Sequence, residues 1–198
     1  MNLIKTLMKL EKLRKCNNCS LCLNQRPLLD TPRNCDIMWV GLSAKKVDNI
    51  STSIPLDNDT NSGKIIELIE DKLPQMRFYK TNLVKCLPLD KNNKLRYPNQ
   101  EEMNACINNL NLEILELNPK IIFVLGKLTY NFVSKYFQKN NLDISKLVYL
   151  EHPSYIYVYK RKYIDDYINK VVDICNEINK SRWKGNLDII IKIMKNLI

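Results

Sequence analysis

"PKIIFVLG", residues 119–126, decides the fold. Five apolar residues, Ile121 to Leu125, follow one another with no polar alternation, opened by a proline and closed by a glycine. A strand that is solvated on one face would alternate, and a buried helix would run longer. This run therefore predicts a short strand buried on both faces, as in a parallel sheet covered by helices. Three more segments are strand candidates: "CDIMWVGL" (35–42), a short apolar run ending at a glycine-bearing loop, "FYKTNLVKC" (78–86) and "KLVYLEHPS" (146–154). Between them, "SGKIIELIEDKL" (62–73), "NQEEMNACINNLNLEILEL" (99–117) and "KLTYNFVSKYF" (127–137) carry apolar residues at helical spacing. Asn99 with Glu102 has the form of a capping box. Residues 160–180 and 186–198 read as two further helices, the last an amphipathic tail.

Strands separated by helices predict an α/β fold, a three-layer α/β/α sandwich around a four-stranded parallel sheet. At 198 residues the whole chain, 1–198, is expected to form one domain. Residues 1–34 would be an N-terminal helix and a cysteine-bearing segment, and 181–198 a helical tail. Gly41 and Gly126 each sit just past a predicted strand. In an open parallel sheet, ligands bind where such loops meet, at the carboxyl ends of the strands. The loops "GLSAKK", "KCLPLDKNN", "GKLTY" and "HPSY" would converge there; the alternative is that they are plain turns.

The net charge is +10, which fits either a solvated lysine-rich surface or a polyanionic partner. No apolar run reaches the roughly 18 residues of a membrane span. "MNLIKTLMKLEKLRK" interleaves charge with apolar residues and lacks the uninterrupted core of a signal peptide. A cytoplasmic protein is the expectation, and there clustered cysteines more often hold metal than form disulfides.

"CNNCSLC" (16–22) holds three of the seven cysteines. Cys16 and Cys19 form a C-x2-C pair; Cys86 ends the second strand and Cys106 lies on the following helix. Thiolates in this number leave tetrahedral zinc and an iron–sulfur cluster both open. A zinc ribbon normally offers a second close pair, which Cys86 and Cys106 do not. Cys22 is a spare near the first pair. Cys35 and Cys175 read as small core residues.

Taken together, "CNNCSLCLNQR", "TNLVKC" (81–86), "YPNQEEMNAC", "PKIIFVLG" and "HPS" (152–154) resemble, in order, the motifs of the iron–sulfur-containing, family 4 type of uracil-DNA glycosylase. The resemblance runs from about residue 13 to about 175 and implies a uracil-DNA glycosylase-like fold. It also implies a [4Fe-4S] cluster ligated by Cys16, Cys19, Cys86 and Cys106, pinning the N-terminal segment beside a DNA-binding face. It makes DNA the partner of a monomeric enzyme with no membrane association. His152, the only histidine, would stabilise charge on the departing base. Asn82 would read the Watson–Crick edge of the flipped base. The base pocket would include Gly41, Leu42, Ser43 and Leu56, and DNA contacts would come from Lys45, Lys46, Ser62, Lys64, Ser154, Tyr155, Lys160 and Arg161.

The first motif departs from the family. Where it has a glutamate this chain has Leu42, and Leu56 stands where an aromatic stacks on uracil. Either the water-positioning role passes to Asp48, Asp57 or Asp59, with Asp48 the named candidate, or efficient uracil chemistry is lost. "HPSYIYVYKRKY" suits either a half-buried strand or a loop inserting Tyr155 or Ile156 into the minor groove. Three functions remain open: a glycosylase for uracil or a modified pyrimidine, a glycosylase acting on hypermodified phage bases in antiviral defence, and a catalytically degenerate DNA binder.

Overall fold

A computed structural model of the protein describes residues 3–180; the tail expected at 181–198 lies outside the described residues. Helix α1 (Leu3–Glu11) leads through a 3-10 turn (Lys12–Lys15) to the short α2 (Leu21–Asn24). Then strands and helices alternate: β1 (Ile37–Ser43), α3 (Asn61–Asp71), β2 (Phe78–Val84), α4 (Gln100–Leu117), β3 (Ile121–Leu125), α5 (Lys127–Lys139), β4 (Leu147–Leu150), α6 (Pro153–Tyr159) and α7 (Ile164–Lys180). The sheet has the order β2-β1-β3-β4, every pair parallel. All four carboxyl ends therefore lie at one edge.

The strands are buried on both faces because two cores form, one on each side. Met38, Val40, Tyr79, Leu83, Ile122 and Val124 pack under α1, α4 and α5 with Leu10, Leu110 and Val133. Ile37, Trp39, Ile121, Phe123 and Leu125 pack on the other side with Ile65, Ile69, Val171 and Ile174 of α3 and α7. Trp39 stacks on Phe123 at 4.9 Å between ring centroids, and its indole N–H donates to Glu70 Oε1 at 3.0 Å. The capping box is present: Glu102 N donates to Asn99 Oδ1 at 2.9 Å, and Asn99 N to Glu102 Oε2 at 2.8 Å. Cys35 and Cys175 are core residues, and burial pushes both thiols up to about 12.

One expectation is overturned. Residues 153–159 are neither strand nor loop but helix α6. Proline at its first position and His152 as N-cap set the start, and alternating Tyr/Ile/Tyr/Val yields because only Ile156 of the run is fully buried. Ile156, 2% exposed, cannot be a minor-groove wedge.

β2 is an edge strand, and the segment after α2 covers it. Leu28 N donates to Lys85 O at 2.8 Å, Lys80 N to Asp30 Oδ2 at 3.0 Å, and Arg33 Nε to Phe78 O at 2.8 Å. At the opposite, amino-terminal edge, Asp36 clasps three strands. Its carboxylate takes Arg77 Nε at 3.1 Å, Arg77 N at 3.1 Å and Lys120 Nζ at 3.0 Å. Partial burial raises the Asp36 pKa, but these donors outweigh it and hold the carboxyl at about 2. A depressed carboxylate stabilises above its unfolded pKa and loses that contribution as pH falls through the folded value. Asp36→Asn should thus lower stability by about 1 kcal/mol in urea titrations at neutral pH, and the gap to the parent should close between about pH 4 and pH 2. A gap that is unchanged at pH 2 would contradict the clasp.

Candidate active site and cysteine pocket

Register brings the first site residues together. Gly41 of β1 lies opposite Asn82 of β2. A Cβ at Gly41 would sit 2.4 Å from Asn82 Oδ1 and 3.2 Å from Leu56 Cδ2, so only glycine leaves room for the amide and the leucine. Asn82 is 3% exposed, yet no group among the described residues hydrogen-bonds its side-chain amide, whose polar atoms still reach solvent. A donor and an acceptor thus stand free side by side.

Leu56 is held there at a cost. Its φ of 53° is left-handed, which a leucine adopts only under constraint. The constraint is the start of α3. Thr60 N and Thr60 Oγ1 donate to Asp57 O at 3.0 and 2.8 Å, and Gly63 N donates to Thr60 Oγ1 at 3.0 Å. Gly63 presses so closely on this turn that a Cβ would lie 1.8 Å from Asp57 O and 2.7 Å from Leu56 O. Ser62 is buried beside it, whereas Lys64 faces solvent.

His152 follows β4. Ser154 N donates to His152 Nδ1 at 3.3 Å, and Ser154 Oγ lies 2.8 Å from the same nitrogen. A backbone N–H can only donate, so Nδ1 accepts and the ring proton sits on Nε2. Burial pushes the imidazole below its ordinary 6.5, which keeps it neutral at pH 7. The result is a neutral ring with one N–H to give. Gly126, at φ 86°, backs the ring: a Cβ there would lie 3.6 Å from His152 Cβ and 3.7 Å from Cδ2. Three strand spacings, about 14 Å, separate the β2 and β4 backbones, enough for a planar base between Asn82 and His152.

The remaining candidate residues divide. Leu42 and Ser43 end β1, both half-buried. Lys45 pairs with Asp59 across the loop, while Lys46 and Asp48 are exposed and have no partner among the described residues. Tyr155 is 46% exposed, with its ring 5.2 Å from that of Tyr159. Lys160 is committed to Glu151 at 2.8 Å, leaving Arg161 exposed. Sequence reading missed Gln25, which pins the 45–47 loop: its Nε2 donates to Lys45 O at 2.9 Å and its Oε1 accepts from Val47 N at 3.0 Å.

Below the end of β2, Cys16, Cys19, Cys22, Cys86 and Cys106 line one small pocket together with Lys85 and Asn109. No three Cys, His, Asp or Glu side chains among the described residues close around a single ion position. The sulfurs line a cavity instead, and the polar groups beside them point inward. Asn109 Nδ2 donates to Cys16 Sγ at 3.3 Å and to Cys106 Sγ at 3.8 Å, and Lys85 N donates to Cys106 Sγ at 3.4 Å. Burial, then the neighbouring sulfurs, push the Cys86 thiol up; burial does the same for Cys106. Crowded thiols of this kind ionise readily only against a cationic centre. The donor set, sulfur-rich and with N–H groups aimed at sulfur, fits an iron–sulfur cluster. Asn109, on α4 one turn beyond Cys106, was legible only once the cysteines were known to meet.

Fold and site define the class: a parallel α/β domain, helix-covered on both faces, with its candidate site at the strand carboxyl ends. A family model described as the uracil DNA glycosylase superfamily matches residues 22–175, and the chain belongs to that superfamily. It is similar to a type-4 uracil-DNA glycosylase of Sulfurisphaera tokodaii, 36% identical over 84 residues, which is 42% of this chain and 35% of that protein. The match thus spans about a third of the relative's length. Among solved structures, wild-type SMUG2 of Pedobacter heparinus superposes with a TM-score of 0.59 at 19% identity, over 75% of this chain and 77% of that one. That likeness supports the fold.

Gly63→Ala tests the construction of the site. The added methyl must force the 56–57 backbone away, so stability should fall by about 3 kcal/mol in urea denaturation. A parental midpoint would show that the turn holding Leu56 is not under constraint.

Proposed function

We propose that the protein is a monofunctional DNA glycosylase that flips uracil or a modified pyrimidine out of DNA and hydrolyses its N-glycosidic bond, leaving an abasic site. The observation that carries this reading is the unpaired Asn82 amide on β2, in a sheet whose far strand, β4, leads at the same carboxyl end to the neutral His152 with its proton on Nε2. Membership of the superfamily and the similarity to a type-4 relative support it.

In this mechanism Asn82 donates to one group on the Watson–Crick edge and accepts from another, with Leu56 against the base face. As the bond to C1′ lengthens, the sugar gains oxocarbenium character and negative charge collects on the pyrimidine. The His152 Nε2–H donates to that charge, and being neutral it does so without protonating the base. Water then adds to C1′ and its proton passes to solvent or a carboxylate. Asp48, exposed and unpaired among the described residues, is the assigned water-positioning group; Asp59 is engaged by Lys45. Lys46, Lys64 and Arg161 are free to meet phosphates, and Tyr155 to fill the gap in the stack.

Cys16, Cys19, Cys86 and Cys106 would hold a [4Fe-4S] cluster, with Cys22 the fifth sulfur. The cluster's contribution would be structural, tying the N-terminal segment to β2 and α4. Purified protein should show broad visible absorbance with iron and sulfide in equal amounts. Cys86→Ser and Cys106→Ser should lose it and Cys22→Ser should keep it; colourless protein with one zinc ion would defeat the assignment.

A second reading is excision of hypermodified pyrimidines from phage DNA as antiviral defence. Two aliphatic positions favour it: Leu56 leaves open the space an aromatic ring would fill, and Leu42 lacks the carboxylate that routine uracil chemistry would use. Both readings are tested by incubating oligonucleotides bearing uracil, hydroxymethylated or glucosylated pyrimidines, followed by alkali. Alkali-dependent breaks that fall about a hundredfold or more in His152→Ala are expected. Protein–DNA adducts trapped by borohydride would mean a lysine nucleophile, and no break with any base would favour a DNA-binding protein without chemistry.

A further inference from the structure

Lys85 and Glu113 form a fully buried ion pair, each 0% exposed, in the space between Asn82 and the cysteine pocket. Lys85 Nζ donates three hydrogen bonds: to Glu113 Oε2 at 2.6 Å, to Thr81 Oγ1 at 2.8 Å and to the backbone carbonyl of Asn82 at 2.5 Å. Glu113, on α4, also accepts from Tyr79 OH at 3.0 Å and from Thr81 Oγ1 at 2.9 Å. Tyr79, Thr81, Asn82 and Lys85 all belong to β2 or its continuation. One α4 carboxylate, with the ammonium it holds, therefore grips the strand at Tyr79, Thr81 and Asn82 and ties in Lys85 beyond it. The main chain of Lys85 is held as well, its N–H donating to Cys106 Sγ of the same helix and its carbonyl accepting from Leu28 N.

Such a pair is a poor way to gain stability. Removing two charges from water costs so much that apolar residues of equal volume often serve as well or better. What the pair supplies is direction: an ammonium with three acceptors in fixed places cannot shift without leaving one of them unpaired. One of those acceptors is the carbonyl of the residue whose side chain faces Gly41.

We propose that Lys85, held by Glu113, is a positioning residue that fixes the β2 terminus so that the Asn82 amide points into the base site. This rests on the reading of Asn82 as the base-reading group, and it adds that the aim of the amide depends on a charge pair beneath the sheet end. A displacement of about 1 Å at such a group is enough to lower a rate about a hundredfold.

The test is the double variant Lys85→Met/Glu113→Gln, which removes both charges and leaves an amide oxygen for Tyr79 and Thr81. Its thermal midpoint should lie within about 4 °C of the parent, while Lys85→Met alone, with an unpaired buried carboxylate, should be far less stable. In the double variant the Asn82 side-chain amide signal, identified by its loss in Asn82→Asp, should shift in 15N–1H spectra. The maximal single-turnover excision rate should fall about a hundredfold with the half-saturating DNA concentration near that of the parent. An unmoved amide signal together with a parental rate would overturn the proposal and leave the pair purely structural. Should the double variant not fold, Glu113→Gln alone should move the same signal, and an unmoved signal there overturns the proposal equally. The spectra need no turnover. A parent that excises no base defeats the glycosylase reading, while the amide signal still decides the positioning role.

Discussion

Parallel pairing is the constraint from which the rest follows. β1 pairs with both β2 and β3, and β3 with β4, all in one direction, so every strand ends at the same edge. Neither a hairpin nor a meander would do this. Each crossover needs a helix, the helices bury both faces, and the central strands β1 and β3 are then almost wholly apolar, while the edge strand β2 carries the buried polar residues Lys80, Thr81 and Asn82. The shared carboxyl edge is where Gly41, Asn82, Gly126 and His152 arrive without any further device. The cysteine pocket sits just beneath it, because Cys86 lies two residues beyond β2 and α4 returns alongside.

The sequence shows the sheet plainly because doubly buried strands leave an unambiguous record: Ile121 to Leu125 contain no polar residue, and all five are buried. It shows the ends of the strands nearly as well. Gly41 and Gly126 mark them, and both glycines prove to be required, one by the Asn82 side chain and the other by its positive φ beside His152. Helix α6 was harder to read. Alternating aromatics look like a strand, and only the proline following an N-capping His152 argues otherwise; the two signals conflict over a span too short for periodicity to decide.

Interactions that span long sequence distances left no trace that one sequence could show. Lys85 and Glu113 are 28 residues apart, and each alone looks like an ordinary surface charge. Asp36 has the same character: a carboxylate before a strand gives no hint that it clasps Arg77 and Lys120, which directly precede two other strands. Gln25 resembles linker. In every such case the side chain is polar, its partner comes from another element, and burial supplies the meaning. Cys86 and Cys106 lie in the same category, and they were legible only through a resemblance to motifs in which the spacing is shared.

The proposed chemistry requires a single base in the space between β2 and β4. A crystal structure of the protein with duplex DNA carrying 2′-fluoro-deoxyuridine, whose glycosidic bond resists cleavage, measures this directly. The expected result is an extruded base with the Asn82 amide within hydrogen-bond distance of its Watson–Crick edge, Leu56 against its face and His152 Nε2 on the far side. DNA bound to another face of the sheet, or an extruded base that touches neither Asn82 nor His152, would contradict it.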